Sequence, residues 1–551
     1  MKQGRSWKRS GLWLALSTSL TGIATAQETP GALKEAVVTT PISKNLHYYF
    51  PPEKVVKRTL DADVCIYGGT SCGIIAAVQL SRLGRKVVLI EPSAHLGGMT
   101  TGGLSNTDIG NKAAIGGLSR EFYHRVGQKY WEEEEWRFEP HIASEVYADM
   151  LKETTVTVYP KEYLHGVHKQ GNRITSLSTE SGLTVQAHCF IDATYEGDLM
   201  ARAKVRSFVG RESNTVYGET LNGVQVRDKH QFDTAVDPYV REGDPASGLL
   251  PTINATPAAP NGTGDKRIQA YNFRLCMATA AENRLPFPKP TGYDPAQYTL
   301  LARYLATGWN QVFQKFDPIK NLKTDTNNHG GLSTDFIGQN YAWPEADYRT
   351  REKIFQAHVV YQQGWAWFLA NDPAVPEAIR TKMNTFGLCR DEFPETEGWS
   401  PQLYVREARR MVSDYVMTEA NCRGTRTAED SVGLAAYTMD SHNCQRFARD
   451  GRVWNEGDVQ VGGMPPYPIS YRAIVPKTAE CANLFVPVCL AASHIAYGSI
   501  RMEPVFMILG QSAALAADIA LTDNIAVQEV DYQKLRARLE AAHQILEWKK
   551  P

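Results

Sequence analysis

Near the C-terminal end, Ser493-His494-Ile495-Ala496-Tyr497-Gly498-Ser499-Ile500-Arg501 runs directly into Met502, Glu503 and a long apolar stretch from Pro504 to Leu521. An imidazole, a phenol and a guanidinium this close together can take a proton, give one and hold a hydroxyl or an anion. His494 is the first candidate for a general base because an imidazole titrates near working pH, with Tyr497 and Arg501 beside it as substrate-holding groups. The plainer reading has His494 or Tyr497 bonding loop backbone and Arg501 pairing with Glu503. Other polar groups could join them. His141 follows Glu139-Pro140 at a helix start, where a structural role is the simpler reading. Asn327, Asn328 and His329 lie in one polar loop and His442 in another, and Tyr271, Asn272 and Arg274 share a strand-like run.

These groups need elements to position them. The most informative is DVCIYGGTSCGIIAAVQLSRLGRKVVLIE, residues 63–91. It reads as an apolar strand, a glycine turn at Gly68-Gly69, a helix from about Ser71 to Leu83 and a second strand ending on Glu91. Such a unit aims free N–H groups and the positive helix end at a pyrophosphate, and Gly73 lets the helix lie close to the strand. Glu91 is placed to accept ribose hydroxyls. The middle glycine of G-x-G-x-x-G is replaced by Thr70, so the unit alone allows NAD, FAD or an inert copy of the fold.

With 551 residues the chain exceeds one ordinary core, and 43% hydrophobic with 22% charged residues is the balance of a soluble globular protein. Residues 1–26 carry Lys2, Arg5, Lys8 and Arg9, an apolar run from Leu12 to Ile23 and Ala24-Thr25-Ala26, the pattern of a secretory signal peptide cleaved after Ala26. A periplasmic or secreted location is expected, with no membrane span once the leader is gone. Loss of those four positive charges takes the formal charge from -1 to -5, which gives no reason to expect nucleic acid as a partner. The nine cysteines contain no C-x-x-C, so neither an iron–sulfur nor a structural zinc site is expected, and no metal.

The chain divides as follows. Residues 27–60, with Pro30, Pro41, Pro51 and Pro52, read as an extended arm, and 61–206 as the first part of a nucleotide-binding domain. Within it, residues 156–159, 163–168, 174–179 and 183–188 alternate like a meander, followed by a short buried strand ending in Asp192-Ala193-Thr194. Residues 207–470 read as an inserted α+β substrate domain with helices near 352–370 and 404–415, and 471–551 as the returning part of the first domain with a C-terminal helix. The unit, the meander, the D-A-T strand end and the late helix together describe a glutathione-reductase-type FAD domain, an α/β Rossmann-like fold, better than a plain NAD domain.

The sequence resembles the bacterial family of exported FAD-dependent oxidoreductases, distantly related to the flavin module of heterodisulfide reductase. The matching segments include YGGTSCGIIAAVQLSRLGRKVVLIEPSAHLGGMTTGGL, IDATYEGDLMA, DKRIQAYNFRLC, STDFIGQNYAWPEADY, LYVREARRMVSDYVMTE, AAYTMDSHNCQRF and ASHIAYGSIRMEPVFMILGQSAALAA, in order along nearly the whole mature chain. The resemblance implies that Thr70 is a family trait and that FAD is the cofactor. It implies Gly68, Gly69, Thr70, Ser71 and Gly73 at the pyrophosphate, Glu91 at the adenosine ribose, and Gly97, Gly98, Met99 and Thr100 along the ribityl side. Leu164 would meet the adenine through its backbone, Ala193, Thr194 and Asp198 would lie by the flavin phosphate, and Met502 and Glu503 would begin the flavin-facing helix. The expected activity is hydride transfer between FAD and a small polar metabolite, a sugar, polyol or hydroxy acid, with an electron acceptor that the sequence does not name. Two other classes fit the same residues: an FAD-containing redox-neutral lyase or isomerase acting on a saccharide, and a non-enzymatic carbohydrate-binding protein.

Overall fold

The computed structural model describes residues 44–549. The leader over residues 1–26, its cleavage point and the arm as far as residue 43 lie outside the described residues.

The first strand, β1 (Arg58–Tyr67), begins exposed and ends fully buried, and it leads into helix α1 (Ser71–Arg82) and strand β2 (Val87–Glu91). Both neighbours of β1 run parallel to it, with Val64 opposite Val87 and Tyr67 opposite Asp192. Parallel strands covered on both faces read as continuous apolar runs, as Val-Val-Leu-Ile of β2 does. Short helix α2 (Gly98–Thr101) and the longer α3 (Gly117–Lys129) and α4 (Pro140–Lys152) follow, and then strand β3 (Thr157–Pro160).

β3 corrects the meander reading. Its alternation suggested an antiparallel strand, but it pairs parallel with β2, Val88 opposite Thr157, and forms the edge of the main sheet. An edge strand with one half-exposed face shows the same period of two as a meander strand. The true meander is β4 (Leu164–Gln170), β5 (Arg173–Thr179) and the first half of β6 (Leu183–Asp192). β6 is one ten-residue strand, where the sequence suggested two. Its first half alternates buried and exposed residues against antiparallel β5, and its second half, Cys189–Asp192, is wholly buried between parallel β1 and the short strand Leu484–Phe485. The full order is β3-β2-β1-β6-β5-β4, with Leu484–Phe485 beside β6.

Helix Glu503–Asp523 crosses the core, buried from Glu503 to Ala520. It is apolar and long enough to cross a membrane, but 89% of its most apolar window is buried inside the protein, as in a core helix of a soluble protein. Residues between about 207 and 470 contribute a five-stranded antiparallel sheet in the order Phe316–Pro318, Lys323–Thr326, Leu275–Ala278, Gly387–Cys389, Arg284–Leu285, and the 24-residue helix Tyr348–Asn371. One hydrophobic core continues from the parallel sheet into these elements. The helix expected over 404–415 is absent: the segment is irregular, with a two-residue strand at Arg410–Met411. Tertiary pairing overrides its helical pattern, since Tyr404 N–H donates to Asn272 O at 2.9 Å and Met411 N–H to Cys489 O at 2.9 Å. The end of the arm is held, not loose. Tyr48 and Tyr49 N–H donate to Glu352 at 2.7 and 2.9 Å, and Phe50 N–H to the Tyr163 hydroxyl at 3.0 Å.

Candidate active site

The turn between β1 and α1 is built as the glycines demand. Gly68 adopts φ +108°, and a Cβ on Gly73 would lie 1.8 Å from Gly68 O, so only glycine lets the helix start approach the strand end. Thr70 does work that a glycine could not. It is the N-cap of α1, its hydroxyl donates to Ala193 O at 2.7 Å and accepts from Gly73 N at 3.4 Å, and so it ties the helix to the D-A-T strand end. The remaining N–H groups of the first turn have no intrahelical acceptor.

Glu91 ends β2 beside this turn, accepting from Gly69 N and Ser93 N at 2.6 Å each. Burial raises its carboxyl to about 7 against those bonds. Asp192 fixes the opposite wall by accepting from Thr194 N and Oγ1 and from Met200 N. Beyond it lies a buried carboxylate, Glu503, in the first turn of the core helix. Thr100 Oγ1 donates to it at 2.7 Å and the Tyr195 hydroxyl at 2.8 Å, while Tyr195 also accepts from Met99 N at 2.9 Å. Met502 caps that helix without a side-chain bond. The glycine cradle, the open helix start, the acid at the end of β2 and the loop Gly97–Thr101 converging on Glu503 fit the ADP and ribityl parts of a dinucleotide.

Two of the expected cofactor contacts also have partners within the protein. The backbone N–H of Leu164 is 3.0 Å from both the Tyr67 and Tyr348 hydroxyls. Asp198 is clamped by Arg351 at 2.5 and 2.9 Å and by Arg409 at 2.8 Å. Burial would raise its carboxyl, and the two guanidiniums outweigh that and hold it below the usual carboxylate range. Neither arginine stood out in the sequence, since its partner lies over 150 residues away.

The polar groups before the core helix separate into two linked clusters. His494 is 1% exposed, with Nδ1 2.7 Å from Glu407 Oε2 and Nε2 3.1 Å from Ser441 Oγ. Burial, then Arg410 and Arg211, lowers its pKa to about 3, so it is a neutral imidazole with both ring nitrogens engaged. Tyr497 is buried as well, and burial pushes its phenol far up, which keeps its proton in place. Arg501 does not pair with Glu503. It donates to the Tyr404 hydroxyl at 3.0 Å, Gln269 Oε1 at 3.2 Å and Asp440 Oδ2 at 3.1 Å. Gln269 joins the clusters: Oε1 accepts from Arg501 and from His442 N, and Nε2 donates to Glu407 at 2.8 Å.

The strand Met439–Ser441 and the next residue carry this arrangement. Asp440 meets Arg501, Ser441 meets His494, and His442 Nδ1 lies 2.8 Å from Asp335 Oδ2. His442 Nε2 faces the partly buried Asp440 at 3.7 Å, beyond hydrogen-bond range. Asp335 also pairs with Arg406 at 3.0 Å. Burial, then Arg406, lowers the His442 pKa to about 4, so this imidazole too is neutral, but with one nitrogen free.

The remaining candidates have structural partners. His141 bonds Glu392 at 2.7 Å, His329 bonds Gln311 at 3.0 Å, and Asn327 lies 3.4 Å from Arg406, with Asn328 buried beside it. Tyr271, Asn272 and Arg274 serve a buried network through Glu407 O, Thr334 and Asp325. Glu139, His141 and Glu392 come close enough to suggest a metal, but Lys323 Nζ sits among the carboxylates, 2.6 Å from Glu139 and 2.7 Å from Glu392. Trp343, Trp365 and Trp399 are core residues and offer no stacking face to a sugar.

The family model described as FAD dependent oxidoreductase matches residues 63–539. No curated protein sequence matches the chain. Among solved structures it is similar to thioredoxin reductase of T. acidophilum (16% identity over 24% of this chain and 34% of that one, TM-score 0.18). It is also similar to L-amino acid deaminase from Proteus vulgaris (15%, 29% and 55%, TM-score 0.23) and to THI4 of Thermovibrio ammonificans (20%, 28% and 66%, TM-score 0.21). The likeness spans less than two thirds of each of these proteins. From the family match over most of its length, with the glycine cradle and Glu91 in place, the chain belongs to the FAD-dependent oxidoreductase family.

Proposed function

We propose that this oxidoreductase acts on a small hydroxyl-bearing metabolite, with His442 taking the hydroxyl proton and Arg501 anchoring the substrate. FAD, when bound, supplies the hydride acceptor. The observation that carries the reading is the His442–Asp335 couple. Nδ1 is engaged by a carboxylate, which fixes the ring and its tautomer and leaves Nε2 as the accepting nitrogen. That nitrogen faces Asp440, which bonds Arg501, two residues before the core helix begins. His494 is then a positioning residue, steadying Glu407, Gln269 and through them Arg501.

A hydroxy acid is favoured over a sugar or polyol. Arg501 and Arg406 are 3% and 1% exposed, yet the Nε of each lacks a hydrogen-bond partner. An unmet buried donor costs on the order of 1–3 kcal/mol, and a substrate carboxylate is the group that guanidinium N–H donors fit best. The test is His442→Asn in the FAD-loaded enzyme: anaerobic bleaching by substrate slows while bound FAD is unchanged. Unchanged bleaching would remove His442 from the reaction. The leader sequence supports an exported location, periplasmic or secreted, and N-terminal sequencing of mature protein should begin at Gln27.

A further inference from the structure

The five-stranded sheet holds two thiols in contact. Strand Leu275–Ala278 pairs antiparallel with Gly387–Cys389, Leu388 opposite Met277 and Gly387 opposite Ala278, a register that continues to set Cys389 opposite Cys276. Their Sγ atoms are 3.5 Å apart. Both residues are buried, at 1% and 0% exposure, and with Ala278, Ile319 and Phe393 they form a small apolar cluster separate from the main core. Inside it each sulfur has the other as its hydrogen-bonding neighbour.

We propose that Cys276 and Cys389 are a disulfide site, closed during folding by an organic disulfide oxidant and fastening the centre of the substrate-side sheet. Opposed residues of an antiparallel pair have Cα atoms about 4.5–5.5 Å apart, inside the range a disulfide spans. Bringing the sulfurs to bonding distance takes a shift of about 1.5 Å, which side-chain rotation supplies. In the reaction one thiolate attacks the oxidant, giving a mixed disulfide and a released thiol. The second cysteine displaces the other half as a second thiol. The protein loses two electrons and two protons, and the oxidant disulfide is reduced to two thiols. Because both sulfurs are buried once folded, the exchange occurs while the sheet is still assembling, which makes the bond structural and not a switch of the native enzyme.

The position suits a brace. Strand Leu275–Ala278 follows directly on Arg274, whose guanidinium chelates Asp325 on the neighbouring strand opposite Cys276. Three residues after Cys389 stands Glu392, which holds Lys323 and His141. The bridge would lock two buried ion clusters into one register.

The full chain is refolded with FAD in a mixture of reduced and oxidised glutathione, and in parallel is produced behind an export leader into an oxidising compartment. Both samples are denatured, blocked with N-ethylmaleimide without reductant and mapped by peptide mass spectrometry. The expected result is a linked peptide pair joining Cys276 to Cys389, about 2 Da lighter than the two free peptides together, with the other seven cysteines blocked. Reduction should lower the Tm of the bridged protein by several degrees and leave Cys389→Ala unmoved. Blocked thiols at both Cys276 and Cys389 in folded, FAD-containing protein would overturn the proposal, as would either residue linked to another cysteine.

Discussion

His442 and Asp335 are 107 residues apart in sequence and 2.8 Å apart in the fold. Asp335 takes Nδ1, and Arg406 holds Asp335 in turn, so the ring is oriented without being protonated. Asp335→Asn should cut kcat by roughly 100-fold, within the range of a general base and its orienter, with FAD content and far-UV circular dichroism unchanged. A matching loss in His442→Asn and no further loss in the double variant would show that the two act as one unit.

Arg501 should behave as an anchor. Arg501→Lys keeps the charge but loses the planar fork that reaches Tyr404, Gln269 and Asp440 together. Steady-state kinetics should show KM raised by about tenfold or more, corresponding to roughly 1.4 kcal/mol of lost binding, with a smaller change in kcat. A fall confined to kcat would place Arg501 in the proton chemistry instead.

The cofactor end makes two graded predictions. Gly73→Ala drives a methyl into Gly68 O and should give protein without the flavin band. Thr70→Gly restores the standard glycine motif, and because Gly costs an N-cap little, the fall in stability of about 1 kcal/mol, read by urea titration, should come mainly from the lost bond to Ala193 O, while FAD still binds.

The unit from Gly68 to Glu91 was legible because its determinants are local: turn glycines, an apolar helix and an acid at a strand end. The core helix after Glu503 was legible for the same reason. The segment from Tyr404 to Tyr415 carries a helical pattern yet is irregular, because the pattern is local and its partners are not; Arg406 goes to Asp335 and Arg410 to Glu212. The meander could be counted, but the sequence could not tell an edge strand of the parallel sheet from a member of the antiparallel one. His494 is conspicuous in the sequence because it stands just before the long apolar helix. Only the fold shows that its two nitrogens are already taken while His442, in what read as a polar turn, keeps one free.

Acid should act on stability through His442. Its folded pKa is depressed to about 4, below the unfolded value of about 6.5. Above 6.5 both states are neutral and its contribution is whole. As pH falls from 6.5 toward 4 the unfolded chain binds the proton first, and that contribution is lost. The Tm advantage of wild type over His442→Asn should therefore shrink across this window. For the same reason the acid limb of kcat/KM should lie below about pH 5, not at the ordinary histidine value.

Net hydride transfer from a hydroxyl-bearing metabolite is the reaction proposed for this site. The direct measurement mixes FAD-loaded enzyme without oxygen with a panel of small hydroxy acids, polyols and sugars while the flavin band is followed. At least one hydroxy acid should bleach the flavin with one equivalent of oxidised product. An unsaturated or rearranged product formed while the flavin stays oxidised would overturn that reaction and point to a redox-neutral lyase or isomerase.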